Sequence, residues 1–395
     1  MTEEAFSSTH PPLPPTTEDT QYSWLRLLRS KRVGPVTFHR LLAEYGSAQN
    51  ALDALPEVAR SAGIKGYETC PASAVDAEIE AAKAAKARLL CFSDPGYPQL
   101  LKGLKDAPPL LWAIGDLSVL NRPMISLVGA RNASSLGLRM ARSLAQSLGE
   151  AGYTVVSGLA RGVDTAAHQA ALPTGTVAVL AGGADVIYPA ENAGLAERIS
   201  ETGLCLSEQP MGMTPQARDF PKRNRIIAGL PRAVVVVEAA AKSGSLITAR
   251  DALDYGREVL AVPGHPFDAR SSGCNRLIRD GAVLIRDAAD VLEALPPQET
   301  AAAAKDAAPA ASLQQALAEL PPPPPQRRSL AETHALHQQI LGRLGPTPTS
   351  ETDLLRDLSL PPQDLAPALT DLELEGTITR QPGGLLSKAL PEDKD

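Results

Sequence analysis

Five stretches of this 395-residue chain gather small residues, four of them with a basic side chain or a hydroxyl. The first is Gly129-Ala130-Arg131-Asn132-Ala133-Ser134-Ser135. Glycine lets backbone amides approach an anion, Ser134 or Ser135 can cap a following helix, and Arg131 offers a planar charged fork. Ser157-Gly158-Leu159-Ala160-Arg161-Gly162 repeats the pattern, Gly182-Gly183 is its barest form, and Lys242-Ser243-Gly244-Ser245-Leu246-Ile247-Thr248 and Pro263-Gly264-His265 complete the set. One such turn is ordinary punctuation. Several on one edge of a sheet predict an extended anion-binding groove, and the alternative is a set of simple tight turns. The groove reading selects Gly129, Arg131, Ser134, Ser157, Gly158, Arg161, Lys242, Ser243, Gly244 and Ser245 as contact residues.

The most basic stretch is Phe220-Pro221-Lys222-Arg223-Asn224-Arg225, three cations in four residues ahead of an apolar helix. Cations are disfavoured at a helix N-terminus by the macrodipole. The placement therefore predicts an anionic partner for Lys222, Arg223 and Arg225, against the plainer reading of a solvated helix start. Fingerprints of nucleotide chemistry are missing. The dipeptide Gly-Lys does not occur, which excludes a P-loop, and the first turn lacks G-x-G-x-x-G. No G-x-S-x-G occurs either. Asp164 and His168 stand at i and i+4, as in a buried polar pair. Glu238 reads as an ion-pair partner for Arg225 or Lys242. No catalytic residue, cofactor or metal is expected.

These stretches follow short apolar, β-branched runs at 125–129, 154–157, 177–181, 204–207, 233–238, 259–263 and 283–285. Such runs fit strands buried on both faces. Amphipathic segments at 136–151 and 247–255 alternate with them. The pattern predicts an α/β, Rossmann-like, doubly wound and mostly parallel sheet over residues 89–295, with ligands at the carboxyl ends of its strands. Residues 1–20 are acidic and Pro/Thr-rich and read as a disordered tail. A helical module of sterile-alpha-motif or helix-hairpin-helix type is expected at 21–88, where Val33-Gly34-Pro35 and Gly63-Ile64-Lys65-Gly66 mark turns. An Ala/Pro-rich linker at 296–328 contains five consecutive prolines, 321–325, which predict a polyproline II spacer. Three helices and a hairpin around Gly383-Gly384 predict a winged helix at 329–395.

Aromatic residues make up 4% of the chain, so the core must be built from Ala, Leu, Val and Ile. The net charge of −7 hides a split. Residues 1–120 carry 12 basic and 14 acidic side chains, 121–290 carry 18 and 16, and 291–395 carry 8 and 15. Only the middle is not acidic, so a polyanion site belongs there and depends on placed arginines. The four cysteines form no C-x-x-C pair, which fits a reducing compartment. No signal peptide and no run long enough to span a membrane is read, and a cytoplasmic location is expected.

Taken in order, GARNASSLG (129–137), VVSGLARGVDTAAH (155–168), TVAVLAGG (176–183), FPKRNRIIAG (220–229), VVVVEA (234–239), KSGSLITA (242–249) and GCNRLIRDGA (273–282) resemble the DNA-processing protein A (DprA/Smf) family. The resemblance covers about residues 90–290. It implies a Rossmann-like core that binds single-stranded DNA in natural transformation, protects it, forms a homodimer through that core and helps to load the recombinase RecA. It also implies that Arg131 and Lys242 touch DNA. Pro231 stands where the family usually has serine. The terminal module carries 4 basic and 8 acidic residues over 329–390, which suits a protein-interaction module better than a groove reader. Two other readings stay open at this point. One is a nucleotide phosphoribohydrolase-like enzyme using Glu238 and Arg131, and the other is a protein scaffold that does not bind DNA.

Overall fold

The computed structural model describes residues 18–295, 330–344 and 349–358, and parts of 361–388. These fall into two compact units. The first holds 18–52 and 68–295, and the second holds 53–67 and the described residues from 330 onward.

Four helices open the chain: α1 (Glu18–Arg29), α2 (Pro35–Tyr45), α3 (Ala48–Ser61) and α4 (Ala72–Ala84). Helix α1 begins inside the stretch read as tail, and the rest of that tail lies outside the described residues. Pro35 starts α2, where its missing N–H costs nothing, and Gly46 ends it in the left-handed region at φ 73°. Trp24 packs edge-on against Phe38 at 5.1 Å, and both are buried. Within this unit the helices are tied to the sheet that follows. Arg29 grips Glu78 through two bonds of 2.8 and 2.9 Å, and the Trp112 indole donates to the same carboxylate at 2.6 Å.

The sheet has nine strands: β1 (Arg88–Cys91), β2 (Leu110–Gly115), β3 (Met124–Val128), β4 (Thr154–Ser157), β5 (Thr176–Val179), β6 (Leu204–Ser207), β7 (Ala233–Val236), β8 (Glu258–Ala261) and β9 (Val283–Leu284). Their spatial order is β1-β2-β6-β5-β4-β3-β7-β8-β9. From β6 to β9 every pairing is parallel, while β2 joins β6, and β1 joins β2, antiparallel. The doubly wound, mostly parallel class read from the sequence is thus observed, with two antiparallel strands added at one side. The run Leu110-Leu111-Trp112-Ala113-Ile114, ended by Gly115, was the available signal for β2.

Strand β3 is buried at every position because helices cover both faces. The remaining helices are α5 (Gln99–Lys102), α6 (Ser135–Glu150), α7 (Val163–Ala171), α8 (Ala193–Thr202), α9 (Asp219–Gly229), α10 (Ser245–Asp254), α11 (Ser272–Arg279) and α12 (Ala288–Ala294). Ile125, Leu127, Val155 and Val235 meet Leu144, Leu148 and Val163 on one face. Val156, Val177 and Val234 meet Ile226, Ile227 and Ala249 on the other.

The second unit contains α13 (Leu330–Arg343), α14 (Glu351–Leu358) and a three-stranded antiparallel sheet of β10 (Thr349–Ser350), β12 (Leu385–Lys388) and β11 (Ile378–Gln381), in that order. Leu336, Ile340, Leu354, Leu369 and Leu386 form its core. The expected hairpin is present. Its Gly383-Gly384 turn and the 296–328 linker lie outside the described residues.

Candidate functional site

Strand β3 has β4 on one side and β7 on the other. Chain order reverses between β3 and β7, so the loops that leave their carboxyl ends part and open a crevice. In nucleotide-binding sheets an anion occupies that place, held by the amides at the start of the next helix. Here the protein supplies its own carboxylate. Glu238 is buried, accepts from the Ser134 amide at 3.1 Å, and accepts from the Ser134 hydroxyl at 2.6 Å. The Ser134 hydroxyl in turn caps α6 by accepting from Gly137 N at 3.0 Å. A Cβ at position 137 would lie 2.3 Å from Glu238 Oε2, so glycine there makes the approach possible. Arg270 Nε stands 3.8 Å from the same carboxylate. This corrects the expected pairing of Glu238 with Arg225 or Lys242, because the side chain turns toward α6.

The loop after β4 is braced from below. Asp164 accepts from Gly158 N at 3.1 Å and Ala160 N at 3.3 Å. His168 Nε2 accepts from Leu159 N at 3.3 Å, and its Nδ1 lies 2.9 Å from Thr176 Oγ1. Because that hydroxyl donates to Val155 O at 2.6 Å, the imidazole is neutral and protonated on Nδ1. These bonds hold Leu159 at φ 56°, outside the usual range for a leucine. Burial lowers His168 to about 3 and raises Asp164, which the nearby Arg223 guanidinium opposes. The sequence reading of this pair as buried and polar matches its geometry. Ser157 spends its hydroxyl on Leu127 O at 2.7 Å. Arg161 is exposed and bridges Glu191 at 2.6 Å.

The basic run lies differently from expectation. Helix α9 begins at Asp219, so Lys222, Arg223 and Arg225 sit within its first two turns. Arg223 is buried and donates from one nitrogen to Gly158 O and Val179 O. Desolvation lowers it to about 10, and its Nε has no hydrogen-bond partner. Arg225 is clamped by Glu208 at 2.5 and 2.6 Å and donates to Asp106 O at 2.6 Å. The macrodipole argument missed these internal acceptors. Of the three cations only Lys222 is exposed, with Asp219 at 3.1 Å.

What the structure does gather is an arginine–aromatic cluster. Arg131 is exposed, and its guanidinium lies 5.2 Å from the Phe220 ring centroid. Phe220 also meets Tyr188 edge-on at 5.6 Å and Arg223 at 5.9 Å. Tyr188 keeps 52% of its surface exposed. A small recess beneath is lined by Gly158, Leu180, Gly182, Tyr188, Phe220 and Arg223. Sequence reasoning missed both rings, although Tyr188-Pro189 and Phe220-Pro221 each set an aromatic beside a chain-stiffening proline. Across the switch point, Lys242 and Gly244 are exposed at the start of α10. Ser243 and Ser245 there share a 2.7 Å hydroxyl contact. Gly129 stands at the carboxyl end of β3, where a Cβ would meet Val163 at 2.6 Å.

Among the described residues no cluster of His, Cys, Asp or Glu could hold a metal, and no helix is long and apolar enough to cross a membrane. Residues 88–296 match the family described as DNA recombination-mediator protein A. The chain belongs to that family. Residues 18–81 match its DprA-like N-terminal HHH domain, and 321–384 match the DprA winged helix domain. Protein Smf of Synechocystis is 33% identical over 388 residues, covering 92% of this chain and 97% of the relative. DNA processing protein DprA of Streptococcus pneumoniae is 46% identical over 201 residues, covering 50% of this chain and 71% of its own. The X-ray structure of DprA from Streptococcus pneumoniae superposes with a TM-score of 0.61 at 35% identity, over 71% of this chain and 99% of that one.

Proposed function

We propose that the first unit binds single-stranded DNA along the carboxyl edge of its sheet. The observation that carries this reading is the Arg131 guanidinium over Phe220 beside the exposed Tyr188 ring. A cation next to an accessible aromatic suits a phosphate with a neighbouring unstacked base, and a duplex does not offer base faces. Arg131, Arg161, Lys222 and Lys242 are the phosphate contacts in this reading. Ser243 and Gly244, at the accessible start of α10, let the strand approach the backbone, while Gly129, Gly158 and Ser245 shape the loops beneath it, since a Cβ at 129 or 158 would strike Val163 or Arg223 and Ser245 is buried. Ser134, Ser157, Arg223 and Arg225 form the frame, since each is spent on an internal acceptor or donor.

Membership of a recombination-mediator family supports a cytoplasmic role in natural transformation: protecting incoming DNA and helping RecA to load on it. The reading includes a homodimer formed through the core. Strand β9 is an edge, and its Val283 and Leu284 are both exposed, a surface that a second copy would cover. The acidic second unit serves protein contact rather than DNA. No catalysis is assigned. The phosphoribohydrolase alternative needs Glu238 free to act on a sugar, whereas Glu238 is held by Ser134. Fluorescence anisotropy with labelled oligo-dT tests the proposal: tight binding that Arg131→Ala weakens supports it, and equal binding by both proteins rejects it. Release of base from nucleoside monophosphates, lost in Glu238→Ala, would restore the enzyme reading.

A further inference from the structure

Phe267 is 96% exposed, in a chain with only five phenylalanines. Phe38 is fully buried, while Phe92 and Phe220 are half-buried. The exposed ring belongs to the loop after β8 and lies 5.6 Å from the His265 ring at an interplanar angle of 40°. The loop is firmly held. Asn275 accepts from Gly264 N at 3.1 Å and donates to Gly264 O at 3.0 Å. A Cβ on Gly264 would lie 2.0 Å from Ser271 Oγ. Asp268 accepts from Arg270 N at 3.0 Å and from Arg270 Nε at 3.1 Å. Arg270 also reaches Glu238, the residue that holds Ser134 at the switch point. The ring is therefore presented on a fixed support joined to the floor of the proposed groove.

Its position in the sheet gives this exposure a direction. The Tyr188 loop follows β5 and the Phe267 loop follows β8, at carboxyl ends that face the same way. The order β5-β4-β3-β7-β8 separates them by about 19 Å, at ~4.8 Å per strand. Arg131 and Lys242 leave from strands between the two. We infer that Phe267, with His265, is a second base-stacking platform for the same DNA strand, which crosses the edge from β5 to β8. This rests on the proposed function above. Stacking on an aromatic suits an unpaired base of any sequence, and the cations between the two platforms match the phosphates that join the bases.

The test uses the full chain, labelled dT12 and a salt series. Phe267→Ala should weaken dT12 binding about tenfold, within the usual range for one lost base stack. It should leave the slope of log affinity against log salt unchanged, because no charge is removed. Arg131→Ala should reduce that slope by about one. Phe267→Trp should keep the affinity, and dT12 should quench its added indole. Native Trp24 and Trp112 are buried out of reach of the DNA, so their emission is a background that the parent protein measures. If Phe267→Ala binds dT12 within twofold of the parent while Arg131→Ala weakens it, the second platform is rejected and the groove stands. If neither substitution matters, both readings fail.

Discussion

The guanidinium of Arg131 lies 5.2 Å from the centre of the Phe220 ring, joining the loop after β3 to the first turn of α9. Each group pre-positions the other, and Phe220 lines the recess beside Tyr188. Arg131→Ala should weaken oligo-dT binding by roughly 1–3 kcal/mol, the scale of a charge-assisted hydrogen bond. Phe220→Ala should weaken it by a similar amount through the lost stack. Arg131→Lys should fall between, since it keeps charge without the planar face. Anisotropy titrations give the affinities, and far-ultraviolet circular dichroism verifies folding. An unfolded Arg131→Ala would make the residue structural.

Arg225 should behave as part of the frame. Its removal leaves Glu208 buried without its cation, a loss of about 3–5 kcal/mol in urea unfolding for Arg225→Ala. A stable Arg225→Ala with greatly weakened DNA binding would put Arg225 in the groove after all.

The buried His168 gives stability a pH dependence of known sign. The folded group is neutral and stays so down to about 3, whereas in the unfolded chain it protonates near its ordinary value of 6.5. Its contribution is complete above pH 6.5 and is lost as pH falls from there toward 3. The expected loss is about 1.4 kcal/mol per pH unit within that window. Urea midpoints of the parent and His168→Gln, measured at several pH values, should differ by this slope. Parallel curves would refute the assignment of a neutral imidazole.

Glu238 closes the site that a phosphate would otherwise take. Glu238→Ala should cost about 1–3 kcal/mol for the Ser134 amide left without an acceptor. Millimolar phosphate or pyrophosphate should then raise the melting temperature of the variant and leave the parent unchanged. Equal responses would mean that the crevice does not discriminate in this way.

The central parallel strands were legible because each is a short apolar run buried on both faces, as in Val234–Val235–Val236. Strands β1 and β2 were not, because they lie outside the alternation of strand and helix that marks the parallel set, and the apolar run of β2 stands alone. Cations posed a different difficulty. The Lys222–Arg225 run reads alike whether water, DNA or a remote carboxylate neutralises it. Glu208 and the carbonyl of Val179 are joined to these arginines only by the packing of α9 on the sheet. Ser134 and Glu238 were each visible as polar residues at the end of an element. Their union depends on Gly137, whose missing side chain carries no sequence signal of what fills the space.

If placed cations on the sheet edge hold a single strand, the affinities for labelled oligo-dT and for duplex of the same length across a salt series will show it. Oligo-dT should bind more tightly, with affinity falling linearly on logarithmic axes as salt rises. Equal affinity for the duplex, or binding indifferent to salt, would contradict it.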